Sequence, residues 1–232
     1  MRIWDLSPGY LNRQSLLGEH RELHGLVSII RDGKKGYSKH PETIRWIGCG
    51  WALKQRHKLI VAEMNLRGYV DKSPVLLRSN SGIWPDHYID TPEKQLVILK
   101  EKYKNLESGR IPLPKNAQEL WAHHKYSVMA RDISTYKAIG KWVASKPGVK
   151  ELPKVAMEVT TLLREAPEQK LIQNTLLHMW GYVSKCPTNS CKDPGSLSMI
   201  TLLKKIQQLS MSEKIKYLTD STSLSELGAW NI

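Results

Sequence analysis

The 232-residue chain has no phenylalanine and only three cysteines. Cys49 stands far from the other two, and Cys186 and Cys191 are separated by four residues in Cys-Pro-Thr-Asn-Ser-Cys. Zinc sites generally use four ligands and closer pairs. These two cysteines, even with His178 as a further ligand, are therefore expected to form an ordinary reduced loop. No metal or other cofactor is expected in the chain. Apolar runs are short, none approaching the ~20 residues that span a bilayer. The start, Met1-Arg2-Ile3-Trp4-Asp5, lacks an apolar signal stretch, so a cytoplasmic protein is expected. Period-two strand alternation and internal repeats are missing. So are the Walker, His-Glu-x-x-His and Gly-x-Ser-x-Gly motifs, which leaves nucleotide-phosphate, zinc-protease and serine-hydrolase chemistries without support.

Positive charge and helical patterning are what the chain does have. The formal net charge is +13, with a pI of about 9.6. An excess of this size favours a polyanionic partner, because Lys and Arg on phosphates release condensed counterions. Apolar residues make up 41% of the chain and charged residues 25%, a balance that supports packed domains. Asn12 can cap a helix reaching about Asp32, stopped by Gly33, with Leu16, Leu23, Leu26, Val27 and Ile30 on one stripe. A second helix is expected from about Trp51 to Arg67, closing at Gly68 and burying Leu53, Ile60, Val61 and Met64. Thr91 caps a third, to about Leu106, with Leu96, Leu99 and Tyr103 inward. Residues 108–114, rich in Pro and Gly, read as a linker. Further helices are expected near 116–131, 133–144, 151–165, 167–184, 196–209 and 211–218. The fold class is all-α, two small helical domains over 1–109 and 116–232, the first with three helices.

One constellation is more specific than the rest: Leu16-Leu17-Gly18-Glu19-His20-Arg21-Glu22-Leu23-His24, one helix away from Met1-Arg2-Ile3-Trp4. A lone Glu on a helix border is most often simply solvated. Glu22 stands out through its company: Arg21, His20 and His24 beside it, and the basic loop of Lys34, Lys35, Lys39 and His40. The glycines of that loop let backbone amides approach phosphate closely.

Several separated segments carry a resemblance. They are Met1-Arg2-Ile3, the Glu19-to-Leu23 core, Gly36-Tyr37-Ser38-Lys39-His40-Pro41, Ile60-Val61-Ala62-Glu63, Arg67-Gly68-Tyr69 and Thr91-Pro92-Glu93-Lys94-Gln95-Leu96. In this order they make residues 1 to about 106 resemble the pyrimidine-dimer DNA glycosylase (phage endonuclease V-like) family. The resemblance implies an all-helical, cofactor-free enzyme acting on ultraviolet-damaged double-stranded DNA. In that family the α-amine of the first residue attacks the sugar C1′, forms a Schiff base and permits β-elimination at dimers or abasic sites. The nucleophilic position falls on Met1, expected to be retained before the bulky Arg2, and the catalytic carboxylate on Glu22. Arg2 is then a phosphate or substrate contact and Arg21 a backbone contact. His20, His24, Arg31, Lys34, Lys35, Tyr37, Lys39 and His40 are the other candidates for the DNA surface. Elementary acid–base chemistry favours such a nucleophile. An α-amine titrates near 8 and a lysine about two units higher, so roughly a tenth of α-amines are free base at neutral pH.

The chain departs from the family pattern at Ser15, where the phage enzyme has a helix-borne His, and at Gly25, where it has an Arg. No aromatic-basic tail follows Tyr103. In the second half, residues 121–130, Tyr136, Gly140 and Val143-Ala144 resemble the YbgA-type helical domain, as do Asn174, His178 and Trp180-Gly181-Tyr182. That domain has no settled activity. His123 and His178 read most simply as hydrogen-bonded core residues. The alternative is a nucleic-acid surface containing His124, Lys125 and Tyr126. The function expected overall is a DNA repair glycosylase and AP lyase for pyrimidine dimers. A non-catalytic module for damaged or single-stranded nucleic acid, or a glycosylase for another modified base, are the alternatives.

Overall fold

In the computed structural model, which describes residues 1–77, 82–145, 151–189, 191 and 193–230, every regular element is helical. The chain divides into two compact units, Met1–Gly109 and Arg110–Ile232. No helix among the described residues is long and apolar enough to cross a membrane.

The first unit contains α1 (Arg13–Asp32), α2 (Pro41–Trp46), α3 (Gly50–Leu66) and α4 (Pro92–Lys102). Helix α1 begins where Asn12 accepts the Ser15 amide at 2.9 Å, and it ends at Gly33, whose φ of 63° is the left-handed cap that glycine adopts without steric cost. Four helices stand where three were expected. The extra one, α2, starts because Pro41 occupies its first position and the His40 ring accepts the Glu42 amide. Val61 is half-buried rather than core, and α4 stops at Lys102, short of Leu106.

Residues 2–11 form the hub of this unit, because groups from all four helices bond to them. The buried Glu19 carboxylate of α1 accepts both sides of the Arg56 guanidinium of α3, at 2.8 Å each. Glu19 also accepts the Trp4 amide at 3.0 Å, and Arg56 donates to the Leu6 carbonyl at 2.6 Å. Arg67 donates to the Leu11 carbonyl at 2.7 Å and to Glu63, itself fully buried. From α2, Arg45 meets Asp5 at 2.5 Å, and from α4 Gln95 accepts the Asp5 amide at 2.9 Å. Gly109 closes the unit by lying so near this segment that a Cβ would stand 2.5 Å from the Tyr10 carbonyl carbon. Only glycine fits there.

The second unit is built around α5 (Ala117–Met129), which packs on α6 (Ile133–Ser145), α7 (Leu152–Leu162) and α8 (Gln169–Val183). Helix α9 (Met199–Ser212) covers α8, and the short α10 (Lys216–Thr219) and α11 (Ser223–Glu226) follow. The helix expected over 211–218 is broken at Lys214, where φ is 52°. A buried Arg131–Glu226 pair at 2.5 Å ties the end of α5 to α11. Residues 110–114 are not a free linker: Ile111 is fully buried, and Arg110 donates to the Thr219 and Ser221 carbonyls.

Removing one partner of a buried, hydrogen-bonded pair leaves the other charge uncompensated, at a cost of about 3–5 kcal/mol. Arg56→Met is accordingly expected to destabilise the first unit by that amount. Urea denaturation of the full chain should show the loss, while the exposed change Lys58→Met should stay within about 0.5 kcal/mol of the parent.

Candidate functional site

Two carboxylates on one helix face receive the start of the chain. Glu19 and Glu22 are one turn apart on α1, and two amides of residues 2–4 reach them. The Trp4 amide meets Glu19, and the Arg2 amide meets Glu22 at 2.5 Å. The α-nitrogen of residue 1 is three bonds from the Arg2 nitrogen, which keeps it within roughly 6 Å of the Glu22 carboxylate. Burial pushes the Glu19 carboxyl up, and the Arg56 guanidinium pulls against it. Glu22, by contrast, is exposed.

A cavity of about 300 Å³ opens beside this junction, lined by Arg2, Ser15, Gly18, Glu22, Ile98 and Lys102 among others. Gly18 faces open space, with nothing within 4 Å of where a Cβ would sit. The Arg2 guanidinium is held 2.7 Å from Asp90 and stacks over the Trp4 ring at 4.9 Å. Lys94 also meets Asp90, at 3.0 Å, and these two cations hold its carboxyl below the ordinary range in spite of its burial. Asp90 and Lys102 escaped the sequence reading, and Glu19 entered it only as part of a motif. For Lys102 the only available signal was its place one turn after Ile98; for Asp90 there was none.

The other expected contacts separate into distinct places. Arg21 is exposed next to Glu22. The loop after α1 begins about 16 Å farther along the helix, and there Lys34, Lys35, Tyr37 and Lys39 are exposed. His40 spends its Nδ1 on capping α2. Arg31 pairs with Asp32 at 2.6 Å and lines a second cavity of about 600 Å³ with Lys54 and Leu77. His20 and His24 turn toward His57 and Asp71. His20 Nε2 lies 3.1 Å from Asp71 Oδ1 and 3.3 Å from His24 Nε2. Burial pushes His57 down to about 4 and His24 down as well, the latter with His20 beside it. These rings are inward-facing, which makes them poor phosphate contacts.

The decisive comparison concerns the segment that contains this arrangement. Residues 1–77 match the pyrimidine dimer DNA glycosylase family. The glycosylase match takes in Glu22, Arg21, the basic loop and all of α1 to α3. Residues 125–226 match a family described as a protein of unknown function. No curated protein and no solved structure matches the chain.

Outside the glycosylase segment, the second-unit candidates do not converge. His123 and His124 are buried, whereas Asn174 and His178 are exposed, contrary to the core position expected for His178. Lys125 instead sits 4.2 Å over the Tyr217 ring, which stacks on Tyr182. Tyr126 is buried edge-on to Tyr217, and burial raises its hydroxyl.

His124 donates Nδ1–H to the Leu120 carbonyl at 2.9 Å, and complete burial pushes its imidazole down to about 3. An unfolded chain takes up that proton near pH 6.5, while the folded one refuses it until about 3. Stability is therefore full above 6.5 and falls with acidification through this window, by up to about 1.4 kcal/mol per pH unit. The denaturation midpoint of the second unit should drop between pH 6.5 and 4, and less steeply in His124→Gln.

Proposed function

We propose that the protein is a DNA repair glycosylase with AP-lyase activity that removes pyrimidine dimers from double-stranded DNA through the α-amine of Met1. The observation that carries this reading is the hydrogen bond from the Arg2 amide to Glu22, because it holds the start of the backbone against a carboxylate at the mouth of a cavity. The match of residues 1–77 to the glycosylase family supports it.

The chemistry follows from that pairing. The free amine donates its lone pair to C1′, and the glycosidic bond breaks with its electrons leaving on the base. Glu22 takes the proton that the amine loses and returns it to the ring oxygen as the sugar opens to a cationic imine. The carboxylate also stabilises that cation. Loss of a C2′ proton then expels the 3′ phosphate, and hydrolysis of the imine frees the amine. Arg2, oriented by Asp90, and Lys102 supply positive charge at the cavity wall. Arg21 and the lysines of the loop after α1 extend this charge along the DNA backbone. Extruding a base into the site costs a few kcal/mol, which a damaged, poorly stacked base reduces.

Glu22→Gln is expected to lower strand cleavage at a defined cyclobutane dimer about 10²–10⁴-fold, with DNA affinity kept within a few-fold. Borohydride should trap the parent protein on that DNA, with the adduct on the N-terminal peptide by mass spectrometry. A protein that binds the duplex but gives no adduct and no cleavage is a binding module instead.

Gly18 supplies an independent check, since its Cβ position is open and a helix-interior glycine is about 1 kcal/mol less stable than alanine. Gly18→Leu should hold or raise the thermal midpoint while blocking the cavity, so cleavage falls with the fold intact.

A further inference from the structure

Opposite the exposed Glu22, the same turns of α1 contribute to a cluster that the glycosylase chemistry does not use. His20 and His24 are one turn apart on α1, His57 comes from α3, and Asp71 lies in the segment after α3. Their ligand atoms all fall within 4.8 Å of one another. Three separations are tighter: His20 to Asp71 at 3.1 Å, His20 to His24 at 3.3 Å, and His57 Nε2 to Asp71 at 3.6 Å. Donors about 2.1 Å from a tetrahedral centre stand roughly 3.4 Å apart, so these spacings already approximate three edges of a tetrahedron.

Hydrogen bonding within the cluster leaves it incomplete. His20 Nε2 faces both Asp71 and His24 Nε2, yet can carry at most one proton for the two. His57 Nε2 is buried and has no hydrogen-bond partner among the described residues. A buried polar atom left this way costs about 1–3 kcal/mol. His20 and His57 direct Nε2 toward the carboxylate, and His24 turns its own Nε2 toward that of His20. One cation would engage every lone pair at once.

We propose that His20, His24, His57 and Asp71 bind a single zinc-class divalent transition metal ion as a structural site. Three imidazoles and one carboxylate suit zinc, and a full set of four protein ligands is the closed arrangement of structural rather than catalytic centres. The ion clamps α1 to α3 and fastens the segment after α3 to both. His20 and His24 flank Arg21 and Glu22, so the clamp rigidifies the turn that presents the Glu22 carboxylate. The site is independent of the proposed reaction and stands or falls separately from it.

The test uses the full chain, stripped with a chelator and titrated with Zn²⁺ or Co²⁺. One equivalent per chain should bind, with cobalt giving the intense visible absorption of a tetrahedral site. Zinc should raise the thermal midpoint of the first unit by on the order of 10 °C. His57→Ala and His24→Ala should each abolish the cobalt band, while the exposed His87→Ala keeps it. Absence of saturable one-to-one binding by the parent chain overturns the proposal, whether or not the variants fold. Retention of the full cobalt band in folded His57→Ala does so too.

Discussion

The Glu19–Arg56 ion pair is the contact on which the first unit depends. Its strength comes from geometry: two parallel 2.8 Å bonds between a planar fork and a carboxylate, both out of water. Each partner has capacity left over, and both use it on the start of the chain, at the Trp4 amide and the Leu6 carbonyl. An otherwise irregular segment is thereby held against two helices. Arg67, Arg45 and Gln95 repeat the pattern, each pairing with a carboxylate or amide and reaching into residues 2–11. A chain terminus normally frays; here every neighbouring helix restrains it.

That restraint gives two similar carboxylates different work. Glu19 is enclosed, paired and structural. Glu22, one turn on, lines the cavity and accepts the Arg2 amide. The spacing of the Arg2 and Trp4 amides matches one turn of helix closely enough that both reach their carboxylates. In the proposed reaction the amine needs a fixed neighbour to pass protons to, and a fixed neighbour needs an immobile scaffold. Helix α1 is that scaffold on three sides: Leu16, Leu23 and Leu26 in the core, Glu22 at the cavity, and His20 and His24 against α3.

Much of the helical architecture was legible in local chemistry. Asn12 and Thr91 cap the helices that follow them, Gly33 ends α1, and the apolar stripes of α1 and α4 pack as their spacing implies, except that Ile30 is half-buried. What was missed has a common cause. The buried face of α3 contains Gln55, Arg56, His57 and Glu63, and hydropathy registers such residues as surface. The same blindness made His20 and His24 look like phosphate contacts, His124 a surface residue and Arg110 part of a linker. His20 and Arg110 have partners far along the chain, at Asp71 and Thr219, and His124 is buried in the core of the second unit.

The sequence by itself determined that the chain is helical, where most helices begin and end, and that Glu22 deserves notice at a set distance from residue 1. Those properties depend on neighbours within a few residues, which sequence order supplies directly. Only the tertiary structure decided that the Arg2 amide touches Glu22, that Asp90 orients Arg2, and that three histidines meet one aspartate. Such contacts join groups 14 to 88 residues apart. Their formation rests on burial and ion pairing among several helices at once, a balance that no local pattern encodes.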